Sequence, residues 1–129
     1  MIIFRELMRR FRDGDFKGVT FNRDADFSGV TFNSDADFSG ATFKGIANFY
    51  RVTFNRGANF NRAKFNRHAD FNRVTFKGYA DFYGAKFNRH ADFNGVTFKV
   101  HGNFNGTTFN RDADFSGVTF NGRVAIGQV

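Results

Sequence analysis

Ala25-Asp26-Phe27-Ser28-Gly29-Val30-Thr31-Phe32-Asn33-Ser34-Asp35 decides the fold. Its two phenylalanines lie five residues apart, and the next one, Phe38, follows six residues after Phe32. The same alternation of five and six runs unbroken from Phe16 to Phe120, placing 20 rings in 105 residues with a unit of 11. A short fixed period of this kind marks a solenoid, in which each unit buries its apolar face only against its neighbours.

A longer period lies beneath the first. Two residues before each Phe, alternate units carry an unbroken valine column: Val30, Val52, Val74, Val96, Val118. The intervening units carry Val19, Ala41, Ala63, Ala85, Thr107. The following position divides in the same way, with Thr31, Thr53, Thr75, Thr97, Thr119 in one set and Thr20, Thr42, Lys64, Lys86, Thr108 in the other. The repeat in space is therefore 22 residues, two units per coil. A coil of 22 has four short faces, each sending one Phe and one small residue to the axis. Strand side chains alternate in direction, so Ala-Asp-Phe and Val-Thr-Phe read in-out-in, and Phe32 is expected under Phe54. Absence of proline suits continuous hydrogen bonding between coils. Glycines two residues after a Phe mark corners where positive φ is tolerated. Because Asn and Arg share those corners, a left-handed turn is not expected at every one.

The units Ala25-Asp26-Phe27-Ser28-Gly29 and Ala36-Asp37-Phe38-Ser39-Gly40 consist of a small residue, an acid, a Phe and two variable positions. In this the chain resembles the pentapeptide-repeat proteins, over about residues 14–127. Val30-Thr31-Phe32-Asn33-Ser34 fits with Thr in the polar slot. The resemblance implies an all-β fold, a right-handed quadrilateral β-solenoid. This chain departs from the family pattern by an extra residue after every second pentad: Asp24, Asp35, Ile46, Gly57, His68, Tyr79, His90, His101, Asp112, Arg123. With 22 residues per coil these fall in two columns at opposite corners, which are expected to bulge.

The two ends differ. Ile3, Phe4, Leu7, Met8 and Phe11 stand at helical spacing, with Arg5, Arg9 and Arg12 mostly off that stripe. Residues 1–13 are therefore expected to form a short N-terminal capping helix over the first coil, and residues 14–129 a solenoid of ten 11-residue units plus a C-terminal half-unit. A cationic helix lying on a membrane is the alternative for this segment; its charges exclude a signal peptide. Past Phe120 come only Val124, Ile126 and Val129 in the rhythm of the repeat. An apolar strand edge of this kind invites pairing with another chain. A homodimer through the C-terminal coil is the expectation, and the resemblance implies the same, since several members of that family dimerise end to end.

Cysteine is absent, which excludes a disulfide scaffold and thiolate metal sites. No stretch spans a membrane, and lack of a targeting segment favours the cytoplasm. The formal net charge is +7. The best-known members of the resembled family are acidic rods thought to imitate DNA, a role a basic rod does not inherit. Positive charge favours polyanions instead. The densest cationic patch is Lys64, Arg67, His68, Lys86, Arg89, His90 and Arg111. It either grips phosphates along the rod or is a solvated corner balanced by Asp70 and Asp92. His68, His90 and those two aspartates could hold zinc only if ligands on parallel outward columns converged, which is poor tetrahedral geometry. The Asp/Asn columns read as turn residues bonding neighbouring backbone rather than as calcium ligands. The threonine column reads as a strand-forming hydroxyl ladder, with a regular ice-binding array as the alternative. No nucleophile–base set, phosphate loop or nucleotide fingerprint appears. The expected function is a non-enzymatic structural or protein-binding rod without cofactor. The alternatives are a polyanion-binding solenoid and an end-to-end assembling unit.

Overall fold

Alternation of inward and outward side chains turns each pentad into a strand only two residues long, followed by a corner. The computed structural model describes residues 2–3 and 14–127. Four faces follow one another around the coil. The lysine face holds Thr20–Phe21, Thr42–Phe43, Lys64–Phe65, Lys86–Phe87 and Thr108–Phe109. The first aspartate face holds Ala25–Asp26, Ala47–Asn48, Ala69–Asp70, Ala91–Asp92 and Ala113–Asp114. The threonine face holds Thr31–Phe32, Thr53–Phe54, Thr75–Phe76, Thr97–Phe98 and Thr119–Phe120. The second aspartate face holds Ala36–Asp37, Ala58–Asn59, Ala80–Asp81, Gly102–Asn103 and Val124–Ala125. Within each face the strands pair in parallel, and every residue of a repeat strand meets the residue 22 positions on, as Lys64 meets Lys86 and Phe76 meets Phe98. The fold is the all-β solenoid of about five coils that the 22-residue period requires.

The interior is made of rings. Each Phe stacks on the Phe one coil away, with centroids from 4.5 Å (Phe65–Phe87) to 5.5 Å (Phe98–Phe120) and planes nearly parallel. Phe32 sits under Phe54 at 5.1 Å and 3°. The spacing follows the strand separation of a β-sheet. It is close enough for ring-to-ring dispersion, with offset stacking favoured over direct overlap. The cross-section is not four equal corners. Rings of the two aspartate faces meet across the axis edge to face, as Phe60–Phe71 do at 5.4 Å and 84°. Phe residues of the lysine and threonine faces flank that central pair, as Phe65 does Phe71 at 5.7 Å and 76°. Small residues fill the remaining space: Ala69, Val74, Ala80 and Ala85 are fully buried.

The two corner types differ in physical origin. After each Asp/Asn pentad the turn has a left-handed residue at its third position. Glycine stands there at seven of these corners, but Arg51, Arg62 and Arg73 adopt φ of 58°, 57° and 60° all the same. The expectation that Arg would relax the left-handed turn is thus corrected. Phe71 C=O accepts the Val74 N–H at 3.1 Å across Arg73, the hydrogen bond of a β-turn whose third residue needs positive φ. The carboxylate of the same pentad strengthens it from outside: Asp70 Oδ1 accepts the Asn72 N–H at 2.8 Å.

At the six-residue corners no described residue has positive φ, glycine included. Gly45 is required there for another reason. A Cβ on it would lie 2.6 Å from the backbone nitrogen of Asp24 in the coil beneath. The extra residue binds upward instead. Asp24 Oδ1 accepts the Ile46 N–H at 2.8 Å, Asp35 Oδ1 accepts the Gly57 N–H at 2.9 Å, and the Arg123 N–H donates to His101 Nδ1 at 3.3 Å.

Ile2–Ile3 form a strand that pairs with Ala25–Asp26 on the first aspartate face. This corrects the start of the expected capping helix: the segment lies as a strand along the edge that the first coil offers. Residues 4–13, the rest of that expected cap, lie outside the described residues, as does Val129. Among the described residues no helix is long and apolar enough to cross a membrane.

Candidate functional site

Cations collect at the corner between the lysine face and the first aspartate face. Lys64 and Lys86 are register partners on the lysine face, both exposed. The corner adds Arg67, Arg89 and Arg111, one per coil and all exposed. His68 and His90 come next, half-buried, with their rings stacked at 5.2 Å and 14°. Arg67, His68, Arg89, His90 and Arg111 line one shallow open groove with Ile46 and Asp112. The structure thus brings these five predicted residues together and leaves Lys64 and Lys86 on the flat face beside them.

Between lysines and arginines runs a column that sequence reasoning passed over. Asn88 Nδ2 donates to Asn66 Oδ1 at 3.2 Å, and Asn110 Nδ2 donates to Asn88 Oδ1 at 2.9 Å. A second amide pair, Asn55 Nδ2 to Asn33 Oδ1 at 3.0 Å, lies beside the threonine column. The signal was recurrence of one residue type every 22 positions. The threonines are aligned in register, but no hydrogen bond joins one threonine hydroxyl to the next. Amides, not hydroxyls, make the ladders on this rod.

Charge is partitioned sharply. All ten aspartate-face carboxylates and amides accept the N–H two residues on, from Asp15 and Lys17 at 3.4 Å to Asp114 and Ser116 at 2.8 Å. Their role is the local turn bond that the sequence predicted. No ion pair forms between described residues, and the side chains of Lys64, Lys86, Arg67, Arg89 and Arg111 make no hydrogen bond to any of them. The proximity of Asp70 and Asp92 therefore does not tie down the arginines. Burial pushes the Asp70 carboxyl above its ordinary pKa; the Asn72 N–H opposes that, Asp92 adds to it, and His68 opposes it. Among the described residues no three metal-binding side chains come together.

The second candidate surface is the C-terminal end. Phe104 is still 6% exposed, but Phe115 is 38%, Phe120 52% and Ile126 71% exposed. With Phe109 and Val124 these form one apolar depression across the end of the ring stack. Among the described residues the last strand of each face, Thr108–Phe109, Ala113–Asp114, Thr119–Phe120 and Val124–Ala125, has a partner on one side only. Val124 and Ile126 therefore lie where the sequence placed them, on an open edge. The larger apolar contribution comes from Phe115 and Phe120, which the repeat rhythm had assigned to the core along with the rest.

Comparison with known proteins agrees with this geometry. A family model describing pentapeptide repeats, in nine copies, matches residues 10–53, 38–86, 49–97 and 82–125. Neither the curated proteins nor the solved structures include a significant match.

Proposed function

The chain belongs to the pentapeptide-repeat family, and from that premise we propose a non-enzymatic rod that joins proteins, first of all a second copy of itself through the C-terminal coil. As a β-solenoid of this family it is a structural or protein-binding repeat protein. The observation that carries the finer reading is the open end of the ring stack, where Phe120 and Ile126 are more than half exposed beside four unpaired strand edges. Rings exposed in water lose the burial of ~1.5–3 kcal/mol that each gains inside. A two-fold partner offers the same rings and edges in return and closes the assembly.

Growth into a fibre is disfavoured by the opposite end. Ile2–Ile3 already occupy the edge of the first aspartate face, so a head-to-tail neighbour would meet a two-residue strand in place of that face's own repeat strand. Two C-terminal ends can still meet. The dimer then presents two sets of exposed sides, with +7 formal charges per chain favouring solubility.

Light scattering tests this reading. At ~100 µM, far above the dissociation constant of a stable interface, the protein should show twice the chain mass of 14.7 kDa. Replacing both Val124 and Ile126 with Asp should give monomer with an unchanged melting profile of the inner coils. A parent protein that is monomeric at that concentration would refute the reading.

A further inference from the structure

Three coils of the cationic corner have a feature that dimerisation does not use. Arg67, Arg89 and Arg111 stand in a straight column, one per coil, and their side chains have no protein partner among the described residues. Beside them runs a second column in the order Asp24, Ile46, His68, His90, Asp112. Its three middle members are an exposed isoleucine and two stacked imidazoles; its two end members are acids. The groove is thus a strip of flat surface walled by arginine on one side and closed at one end by the Asp112 carboxylate.

We propose that this groove binds single-stranded nucleic acid, with phosphates on the Arg67–Arg89–Arg111 column and bases against Ile46, His68 and His90. Charge complementarity supports the first half. Asp70, Asp92 and Asp114 on the next face each commit one carboxylate oxygen to a turn N–H, as Asp92 Oδ1 does to that of Asn94 at 2.9 Å, and Asp112 is the one acid lining the groove. Five cations, the two lysines included, have no partner among the described residues and can release counterions on binding a polyanion. Phosphate contacts of this sort position a strand without reading its sequence. Shape supports the second half. Imidazole faces and apolar side chains are surfaces on which unstacked bases lie. An acidic peptide or a sulfated sugar would use the arginines and leave that strip unused.

Geometry also separates one strand from two. The cations follow a straight line with the spacing of stacked coils, close to that of the 5.2 Å imidazole pair. A single strand is pliable and can match that step along its backbone. Duplex phosphates are fixed on a helical path, which a straight row of three arginines follows only briefly.

The test is fluorescence anisotropy of a labelled oligothymidylate of about 12 nucleotides, within the usual span of single-strand sites. The full chain should bind at ~50 mM salt and weaken steeply toward ~200 mM, with a log–log slope no steeper than about −3.5 for five neutralised phosphates. Arg67→Glu with Arg89→Glu should weaken binding on the order of tenfold or more and flatten the slope. Lys77→Glu with Lys99→Glu makes the same change in charge on the threonine face and should cost far less. His68→Ala with His90→Ala should weaken the oligonucleotide but leave heparin retention unchanged. All of these side chains are exposed or half-buried corner and face residues, so each variant should keep the parent melting profile. Equal losses from the two Glu pairs, tighter binding of a duplex or of heparin than of the single strand, or no binding at ~50 mM salt would each overturn the proposal.

Discussion

Val74-Thr75-Phe76 and Val118-Thr119-Phe120 are the same three residues two coils apart, and they live in different environments. Phe76 is 1% exposed and stacked on both sides, by Phe54 and Phe98. Phe120 is 52% exposed and stacked on one side only, by Phe98. These three residues are identical, so the difference comes from having a neighbour above. In a solenoid the unit of stability is the interface between coils rather than the coil itself, and the last interface is the one a partner can supply.

That comparison predicts a large asymmetry in stability. Phe71, fully buried between Phe49 and Phe93, should cost ~3–5 kcal/mol when replaced by Ala, because removal of a central ring leaves a cavity that its stacked neighbours cannot fill. Phe120→Ala should cost under ~1 kcal/mol in chemical denaturation at high dilution, since half its surface is already in water. At concentrations where the dimer forms, the same Phe120→Ala change should cost more, through the interface. Equal costs for Phe71 and Phe120 at high dilution would mean that the end of the stack is shielded within the single chain.

A smaller effect sharpens the comparison on the first aspartate face. Asp70 and Asp114 occupy one column, and both accept the N–H two residues on. Burial raises the pKa of Asp70. Asp114, at the open end, has its pKa lowered, chiefly by hydrogen bonds from the Ser116 hydroxyl and N–H. The consequences for stability have opposite sign. The raised pKa of Asp70 makes its ionised form a penalty above the folded pKa, relieved as pH falls through that value. The lowered pKa of Asp114 gives a contribution present above the ordinary carboxylate pKa and lost as pH falls through the folded one. Asn accepts the same turn bond at Asn48, Asn59 and Asn103. Asp70→Asn should therefore raise the neutral-pH melting temperature slightly, and Asp114→Asn should lower it slightly. Shifts of the same sign in thermal melts at pH 7 would contradict the assignment.

Much of this architecture could be read from the chain because the repeat states each contact ten times over. The alternation of valine and alanine columns was enough to choose 22 residues per coil over 11, and so to place Lys64 beside Lys86 and His68 beside His90. The role of the aspartates was legible too, since Asp and Asn interchange in a slot that needs only an acceptor. Corner geometry was less so. Arg73 takes a left-handed conformation that favours glycine because the turn is imposed by the coils on either side. Gly45 is present for close approach of the backbone, which leaves no mark on local propensity. The exposure of Phe115 and Phe120 was hidden for the opposite reason: their pentads are indistinguishable from buried ones. The freedom of the arginines could not be read either, because whether a corner arginine reaches a carboxylate on the next face depends on where both side chains stand in three dimensions.

Hydrogen exchange at the end of the stack tests the central claim most directly. The amides of Ala113, Phe115 and Phe120 lie on or beside edge strands with one open side, and those of Ala69, Phe71 and Phe76 lie between paired strands. Local protection reports the free energy of opening at each site. If a second copy covers the C-terminal coil, exchange at Ala113, Phe115 and Phe120 should slow as protein concentration rises through the micromolar range, while Ala69, Phe71 and Phe76 stay protected throughout. Fast exchange at the three terminal amides that does not change with concentration would show that the last ring layer faces water, and that no partner copy closes the rod.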